Sequence, residues 1–167
     1  LWWRGRPVVV DPGTYTYERG PDRDWFRSTR ARSTVTVDDR DQFRLWGAFR
    51  SGPLPNVSLR YARDGAVEAS VVLHGRVRHV RRIEWSANDV FVVDQLEGKG
   101  RHRVASRLVW APGPPAVEFA LHGAGELTSE EGFLSERFGE RQPISIGAIV
   151  AELTFPGSLG FRLRCLG

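Results

Sequence analysis

Short stretches in which apolar and polar residues alternate dominate the sequence and constrain its fold most. They lie at residues 14–17, 33–37, 57–61, 68–73, 76–85, 89–96, 101–110, 116–122 and 161–166. Because successive side chains of a β-strand point to opposite faces, this period of two predicts strands that are buried on one side. Turn signals such as Asp11-Pro12-Gly13, Ser51-Gly52-Pro53 and Asp64-Gly65 separate the stretches. The pattern predicts an all-β fold, an antiparallel β-sandwich or barrel.

Helices have little room in this sequence. The 18 Gly and 10 Pro residues are spread along the chain, so no long helix fits. A capping-box pattern at Thr128-Ser129-Glu130-Glu131 would allow one short helix, which Gly132 weakens. No repeat or linker divides the 167 residues, and we therefore predict a single domain over residues 1–167.

The charge distribution excludes a membrane-spanning helix and favours an anionic partner. The longest stretches without charge, residues 108–117 and 142–151, are far shorter than the roughly 18 apolar residues that span a bilayer. The chain carries 24 Lys+Arg against 20 Asp+Glu, and Lys99 is its one lysine. Arginine favours planar partners such as carboxylate, sulfate or phosphate. A GC-rich genome would produce the same bias.

Four polar residues fall on the predicted apolar faces of the strands: His79, Arg81, Asp94 and His102. A charged group in such a position must be paired or must line a cleft, because burying it alone is costly. One interpretation is a buried ion pair between Arg81 and Asp94 with two hydrogen-bonded histidines. The other is a polar cluster that lines a cleft.

The sequence lacks the usual motifs of nucleophilic, phosphate-binding and metal-dependent enzymes. Gly-x-Ser-x-Gly, Gly-x-x-x-x-Gly-Lys, His-Glu-x-x-His and Cys-x-x-Cys are all absent. The histidines at positions 74, 79, 102 and 122 match no local zinc motif, which leaves only ligation across strands. Cys165 has no second cysteine to pair with. We expect no cofactor and no metal.

Residues 23–34 form the densest candidate for a binding surface, with four arginines and several hydroxyl groups before a strand. Arg27, Arg30 and Arg32 would bind carboxylates or sulfates by charge-assisted hydrogen bonds. The alternative is a solvated loop whose arginines pair with nearby acids, namely Asp22, Asp24 and Asp38. Basic rows on two strands would extend the surface: Arg76, Arg78 and Arg82, and Arg101, Arg103 and Arg107. Nucleic-acid phosphates would suit the same rows, but we expect no nucleic-acid partner.

A series of motifs runs along almost the whole chain. It begins with residues 7–17, Trp25-Phe26-Arg27-Ser28-Thr29 and residues 30–38 with Gln42. Shorter ones follow at Leu73-His74-Gly75, His79-Val80-Arg81-Arg82, Val92-Val93-Asp94 and Phe138-Gly139. In this order they resemble the C-terminal domain of the heparinase II/III-like polysaccharide lyases.

This resemblance implies an antiparallel β-sandwich of two packed sheets that belongs to a longer polypeptide. An upstream α/α toroid would be its partner, with an acidic polysaccharide in the cleft between them. The implied reaction is β-elimination at a uronic acid: the C5 carboxylate is neutralised, a base takes the C5 proton and an acid protonates the departing O4. Because the tyrosine that transfers most protons belongs to the toroid, we expect this chain alone to be inactive.

The resemblance also implies a site and a compartment. We expect the polysaccharide to contact residues of the arginine-rich segment and of two later motifs: Arg27, Thr29, Arg30, Ser33, His74, His79 and Arg81. Periplasmic or secreted localisation is expected, with no membrane partner.

One position departs from the family pattern. Where the family has Ala-His-Asn-Thr, this chain has Ala31-Arg32-Ser33-Thr34, so Arg32 replaces the histidine of catalytic type. A guanidinium stays protonated at ordinary pH and cannot serve as a general base, although it can neutralise a carboxylate. An alternative function follows: an acidic-glycan-binding or scaffold sandwich that has lost lyase activity.

Overall fold

Antiparallel strands account for most of the computed structural model, which describes residues 1–113 and 117–166. The strands in chain order are β1 (Trp2–Trp3), β2 (Arg6–Pro7), β3 (Val35–Val37), β4 (Leu45–Trp46), β5 (Arg50–Ser51), β6 (Val57–Arg63), β7 (Ala66–Val72), β8 (Arg78–Trp85), β9 (Asp89–Glu97), β10 (Arg101–Val109), β11 (Val117–Gly123), β12 (Glu126–Leu134), β13 (Gln142–Thr154) and β14 (Gly157–Cys165). The helical segments are α1 (Pro21–Arg27) and two 3₁₀ turns, Thr29–Ala31 and His74–Arg76.

The strands form two large sheets. One has six strands in the order β11-β14-β9-β8-β7-β6, and the other has four in the order β12-β13-β10-β3. The pairings within both sheets are antiparallel. Val92 and Phe161 of the first sheet and Val104, Leu108 and Ile149 of the second belong to one buried cluster. The sheets therefore pack face to face as a β-sandwich, which confirms the predicted fold class.

Most predicted strands correspond to observed ones. The stretches at 57–61, 68–73, 76–85, 89–96 and 101–110 coincide with β6 to β10. The stretch at 116–122 matches β11 from Val117 onwards, and Ala116 lies outside the described residues. The prediction at 14–17 was wrong: this segment runs beside the loop after β12, where Tyr15 O accepts a hydrogen bond from the Gly139 N–H at 2.8 Å.

The short helix that the capping-box pattern at Thr128–Glu131 would allow does not form, because these residues lie within β12. All nine residues of β12 pair with β13, and this pairing overrides the local capping pattern. Gly132 fits the strand for a steric reason: a Cβ at this position would lie 2.6 Å from Cδ1 of Ile146. The strand β13 was missed because four successive residues, 146–149, are buried, which removes the alternation.

The one α-helix in the described part of the chain is short and has a clear start. Pro21 occupies its first turn together with Asp22 and Asp24, and Arg27 lies in its last turn, as the helix dipole and the geometry of proline favour. The Trp25 ring packs edge-on against Phe133 of β12, with centroids 5.4 Å apart. The helix thereby covers part of the four-stranded sheet. Within the described ranges, no helix combines the length and hydrophobicity that crossing a bilayer requires.

The turn Asp11-Pro12-Gly13 is fixed by a close backbone approach. Gly13 has φ +79°, and a Cβ there would lie 2.2 Å from the carbonyl oxygen of Ser135. Its N–H donates to Oδ1 of Asp11 at 2.9 Å. Only glycine can adopt this positive φ and also fit against the Ser135 carbonyl without moving the chain.

We expect Gly13→Ala to lower the free energy of unfolding by about 2–4 kcal/mol, because backbone strain and a steric collision act together. Gly139→Ala is the matched control: Gly139 has φ +83° but open space around it, so it should cost only about 1–2 kcal/mol. Urea unfolding of both variants measures the difference. Equal losses would contradict the steric argument.

Candidate functional site

An open cleft of about 470 Å³ lies where α1 and the 3₁₀ turn after it meet the β4–β5 hairpin. Its lining combines cationic, hydroxyl, amide and apolar side chains, among them Arg23, Arg27, Thr29, Arg32, Thr34, Gln42, Leu45 and Leu54. The arginine-rich segment of the sequence therefore forms one wall of a real concavity.

Two arginines of this wall are held by backbone carbonyl groups. Arg27 donates from Nη1 to Gly47 O at 2.6 Å and from Nη2 to Arg50 O at 2.8 Å. Arg23 donates from Nε to Ala48 O at 2.9 Å. In the part of the chain that the structure describes, neither guanidinium forms an ion pair with a carboxylate. The carbonyl dipoles orient the two groups but leave their positive charges unneutralised.

The two positive charges are close enough to repel each other. Burial and the neighbouring Arg27 charge lower the pKa of Arg23 below its ordinary value. An anion bound in the cleft would relieve this repulsion, and guanidinium groups bind carboxylate and sulfate particularly well.

Arg32 reaches the cleft but already has an acidic partner. Its Nη1 donates to both carboxylate oxygens of Asp11 at 2.6 Å, and its Nη2 donates to Phe26 O at 2.7 Å. Thr29 fixes the opposite loop, since its N–H donates to Asp41 at 2.6 Å and its hydroxyl accepts from the Gln42 N–H at 2.9 Å. Arg32 therefore adds less free positive charge than Arg27.

The remaining expected contacts in this segment have other positions. Arg30 is exposed and does not belong to the cleft lining. Ser33 anchors the chain to β10: its hydroxyl accepts from the Val109 N–H at 3.0 Å, and its carbonyl accepts from Nη1 of Arg81.

His79 and Arg81 lie in a polar network between the two sheets. Arg81 donates from Nε and Nη2 to the two carboxylate oxygens of Asp94 at 2.7 and 2.8 Å. His79 lies 2.7 Å from Asp94, and the Ser106 hydroxyl of the other sheet donates to Asp94 at 2.5 Å. The sequence interpretation of a buried Arg81–Asp94 pair is confirmed, and neither His79 nor Arg81 belongs to the cleft lining.

Asp94 is fully buried and ionised. Burial alone would raise its pKa, but the Arg81 charge and the hydrogen bonds from Arg81 and His79 hold the pKa well below its ordinary value of 3.8. Because an ionised carboxylate can only accept hydrogen bonds, Nε2 of His79 carries the proton that it donates. The network is thus fully satisfied, as a buried charge requires.

His102 makes a second, more exposed pair. Its Nδ1 lies 2.9 Å from an Asp38 carboxylate oxygen and its Nε2 lies 2.9 Å from Lys99 O. Both nitrogens face acceptors, so only the protonated ring satisfies both contacts. The hydrogen bond to Asp38 and the contact with Lys99 O raise the pKa of His102 above 6.5.

His74 lies on the second 3₁₀ turn and faces a neighbouring hollow formed with residues 40–45. Gln42, Phe43 and Leu45 line both this hollow and the main cleft. Among the described residues, Nε2 of His74 has no hydrogen-bond partner, although this atom is buried. His74 is thus near the cleft but on the far side of the loop that borders it.

The polar side chains of the sandwich do not fit a metal site in the described part of the chain. No group of three or more His, Cys, Asp or Glu side chains converges in the described ranges 1–113 and 117–166. The Arg81 guanidinium already occupies both oxygens of Asp94. A cation next to it would be repelled.

The basic rows on the strands do not extend the cationic cleft. Five of their six arginines are paired with acids: Arg78 with Glu97, Arg82 with Glu84, Arg101 with Glu152, Arg103 with Asp39 and Arg107 with Glu130. Two of the three acids expected to neutralise residues 23–34 bind elsewhere, since Asp22 pairs with Arg141 and Asp38 with His102, and Asp24 forms no ion pair within the described ranges. Among the three arginines that line the cleft, Arg32 is paired with Asp11, whereas Arg23 and Arg27 have no carboxylate partner in the described residues.

Arg23 is the cleft arginine that the sequence analysis did not select as a binding residue. Its spacing of four residues from Arg27 is the available signal, because residues i and i+4 of a helix share a face. The helix is too short for its periodicity to be visible in the sequence.

Comparison with known proteins identifies the class of domain. Residues 1–156 match the family model described as "Heparinase II/III-like, C-terminal", and the chain belongs to this family. No curated protein sequence matches it.

Solved structures share the fold. A heparinase III gene product matches with a TM-score of 0.76 at 15% identity, over 97% of this chain and 28% of that one. A mutant of the heparan sulfate lyase HepC from Pedobacter heparinus matches with a TM-score of 0.76 at 14% identity, over 98% of this chain and 29% of that one. Another heparinase III gives 0.70 at 13% identity, over 97% and 28%. The chain thus spans less than a third of each relative.

We expect Asp94→Asn to lower the free energy of unfolding by about 3–5 kcal/mol, because it leaves the Arg81 charge buried without its partner. Asp64→Asn, in an exposed turn, is the matched control and should change it by less than about 0.5 kcal/mol. Denaturant unfolding at neutral pH measures both. Similar values for the two variants would show that the network contributes little.

His102 should make stability depend on pH. A raised folded-state pKa gives stabilisation that is complete below 6.5 and is lost as pH rises through the raised value. The free energy of unfolding should therefore fall as pH rises above about 6.5, by less than about 1 kcal/mol for this partly exposed pair. His102→Gln should remove this component, whereas His122→Gln, at an exposed position of β11, should preserve it. A pH dependence unchanged by His102→Gln would contradict the assignment.

Proposed function

We propose that this chain is the C-terminal β-sandwich of a lyase that cleaves uronic-acid-containing polysaccharide by β-elimination. In this proposal the cleft binds the acidic polysaccharide, and an upstream α/α domain of the same polypeptide closes over it. Membership of the heparinase II/III-like C-terminal family supports the proposal. The family relationship also favours action in the periplasm or outside the cell.

The observation that carries the proposal is the pair of unneutralised arginines in the cleft. Arg27 and Arg23 are oriented by three backbone carbonyls and lack a carboxylate partner among the described residues. Neighbouring like charges are costly unless an anion joins them. A uronate carboxylate or a sulfate group has the charge and the planar or tetrahedral oxygens that two guanidinium groups bind.

In β-elimination, the first requirement is neutralisation of the uronate carboxylate, which makes the C5 proton more acidic and stabilises the enolate-like intermediate. Arg27 is suited to this step, since its charge is fixed in place and free of competing acids among the described residues. Arg32 cannot remove the C5 proton because a guanidinium does not lose its own. The groups that transfer protons must therefore come from the upstream domain, and the chain alone should be inactive.

A second candidate is a glycan-binding or scaffold sandwich without lyase activity. The observation that favours it is the ion pair between Arg32 and Asp11, at the position where the family pattern has histidine. This pair replaces a residue of catalytic type with a structural contact. Binding of acidic polysaccharide is common to both candidates.

Activity separates the two candidates. The longer polypeptide that contains this chain should be assayed for unsaturated uronate absorbance with heparin, heparan sulfate, hyaluronan, chondroitin and alginate. A rise with one polymer would support the lyase. Binding without any rise would support the non-catalytic candidate, and a gain of activity in Arg32→His would then indicate a degenerated lyase.

Binding by the cleft gives a direct prediction. We expect Arg27→Gln to weaken the binding of an acidic oligosaccharide by about 10-fold or more, and to reduce its dependence on salt, because one charge-assisted contact is lost. Arg30→Gln is the matched control, since Arg30 carries the same charge in the same segment but lies outside the lining. Calorimetric titration at two salt concentrations measures both. Equal losses for the two variants would show that only overall charge matters.

A further inference from the structure

Three aromatic side chains from different loops form an exposed cluster beside the cleft. Tyr17, Phe49 and Phe138 are 53%, 70% and 61% exposed. The Tyr17 ring lies between the other two, with centroids 5.6 Å from Phe49 and 4.9 Å from Phe138. Contiguous apolar side chains on a surface usually mark an interaction site. We call these three residues the aromatic cluster.

Hydrogen bonds join two of the three segments that carry the aromatic cluster. Ser135 donates from its hydroxyl to Thr14 O at 3.1 Å, and the Gly139 N–H donates to Tyr15 O at 2.8 Å. These bonds join the segment before Tyr17 to the loop that carries Phe138. Because the rings are held before a ligand arrives, binding to them costs less conformational entropy.

Arg23 connects the aromatic cluster to the cleft. Its guanidinium carbon lies 5.2 Å from the Tyr17 ring centroid and 5.6 Å from the Phe49 ring centroid. The same side chain lines the cleft next to Arg27. Arg23 is itself buried, and it links the aromatic cluster on one side to the cleft wall with Arg27 on the other.

We propose that the aromatic cluster is a stacking platform for one sugar ring of an acidic oligosaccharide whose neighbouring charged group occupies the cleft. This inference rests on the function proposed above. A pyranose ring has a face of C–H groups that packs on aromatic rings, and it carries hydroxyl groups at its edge. A uronic acid polymer therefore presents the apolar face and the anion within one or two residues of each other.

Charge argues for this occupant over an apolar protein surface. A protein partner without acids would cover Arg27 without pairing its charge, at a cost in desolvation. Glu136 and Glu140 stand on either side of Phe138 in the sequence, where they can accept hydrogen bonds from sugar hydroxyls.

In the test, the 167-residue chain is titrated with size-defined oligosaccharides of heparin, hyaluronan, chondroitin and alginate. Calorimetry measures the affinity for each oligosaccharide. With a saccharide that binds, Phe49→Ala and Phe138→Ala should each weaken binding about 3- to 10-fold. Phe49→Tyr keeps a ring and should bind as the unmodified chain does. Trp85→Ala is the control: it removes another exposed aromatic side chain, 43% exposed, from the end of β8 and should not change the affinity.

Salt dependence separates this inference from the proposed function. Stacking is not screened, so the aromatic variants should lose affinity at every salt concentration without a change in salt dependence, unlike Arg27→Gln. If Arg27→Gln weakens binding while both aromatic variants match Trp85→Ala, the platform is overturned and the proposed function stands. If none of the oligosaccharides binds, the proposed function fails and the platform fails with it.

Folding and self-association of the aromatic variants are measured alongside binding. The unfolding midpoints of these variants should match that of the unmodified chain, because the replaced rings are largely exposed. If Phe138→Ala does not fold, the comparison of Phe49→Ala with Phe49→Tyr still shows whether an aromatic ring is needed for binding. Sedimentation velocity tests a second copy of the chain as occupant. Self-association that Phe49→Ala abolishes, without an effect on saccharide binding, would overturn the platform.

Discussion

The buried carboxylate of Asp94 is the interaction on which the rest of the sandwich depends. Asp94 belongs to the six-stranded sheet, and it accepts from Arg81 of the same sheet and from Ser106 of the other. Arg81 in turn donates to the Ser33 carbonyl, next to Arg32. One ionised group therefore fixes the spacing of the sheets and the start of the segment that forms the cleft wall. An apolar contact at this place would bury as much area but would not orient that segment.

The sequence predicted the faces of the central strands well and their partners less well. His79 and Asp94 were expected on buried faces, and both are buried, because alternation along a single strand is a local property. The strand β12 was missed for the opposite reason: the Thr128–Glu131 pattern favours a helix locally, and only the pairing with β13 makes it a strand. Pairing between two strands leaves no periodic signal in either one.

At the candidate site, too, the sequence did not reveal which distant residues contact each other. Arginine content pointed to an anionic ligand, but most arginines of the strands are compensated, as Arg107 of β10 is by Glu130 of β12 across the intervening strand β13. Which arginines keep a free charge is decided by the tertiary arrangement, since the partner of Arg107 lies 23 residues away. Arg27 and Arg30 look equivalent in the sequence but have different environments. Arg30 is exposed, whereas Arg27 is held in the cleft by two backbone carbonyls.

Arg32 and Asp11 are best understood as one unit. An arginine at this position adds a third permanent charge to a wall that already holds two unneutralised guanidinium groups, and such a change alone would be costly. Asp11 removes that cost by accepting from Arg32 with both oxygens, while Oδ1 also accepts from the Gly13 N–H. The turn at Gly13 thus places the carboxylate where both of its oxygens accept from Arg32. A neutral side chain at position 32 would leave Asp11 without its cationic partner, so the two residues are coupled through charge.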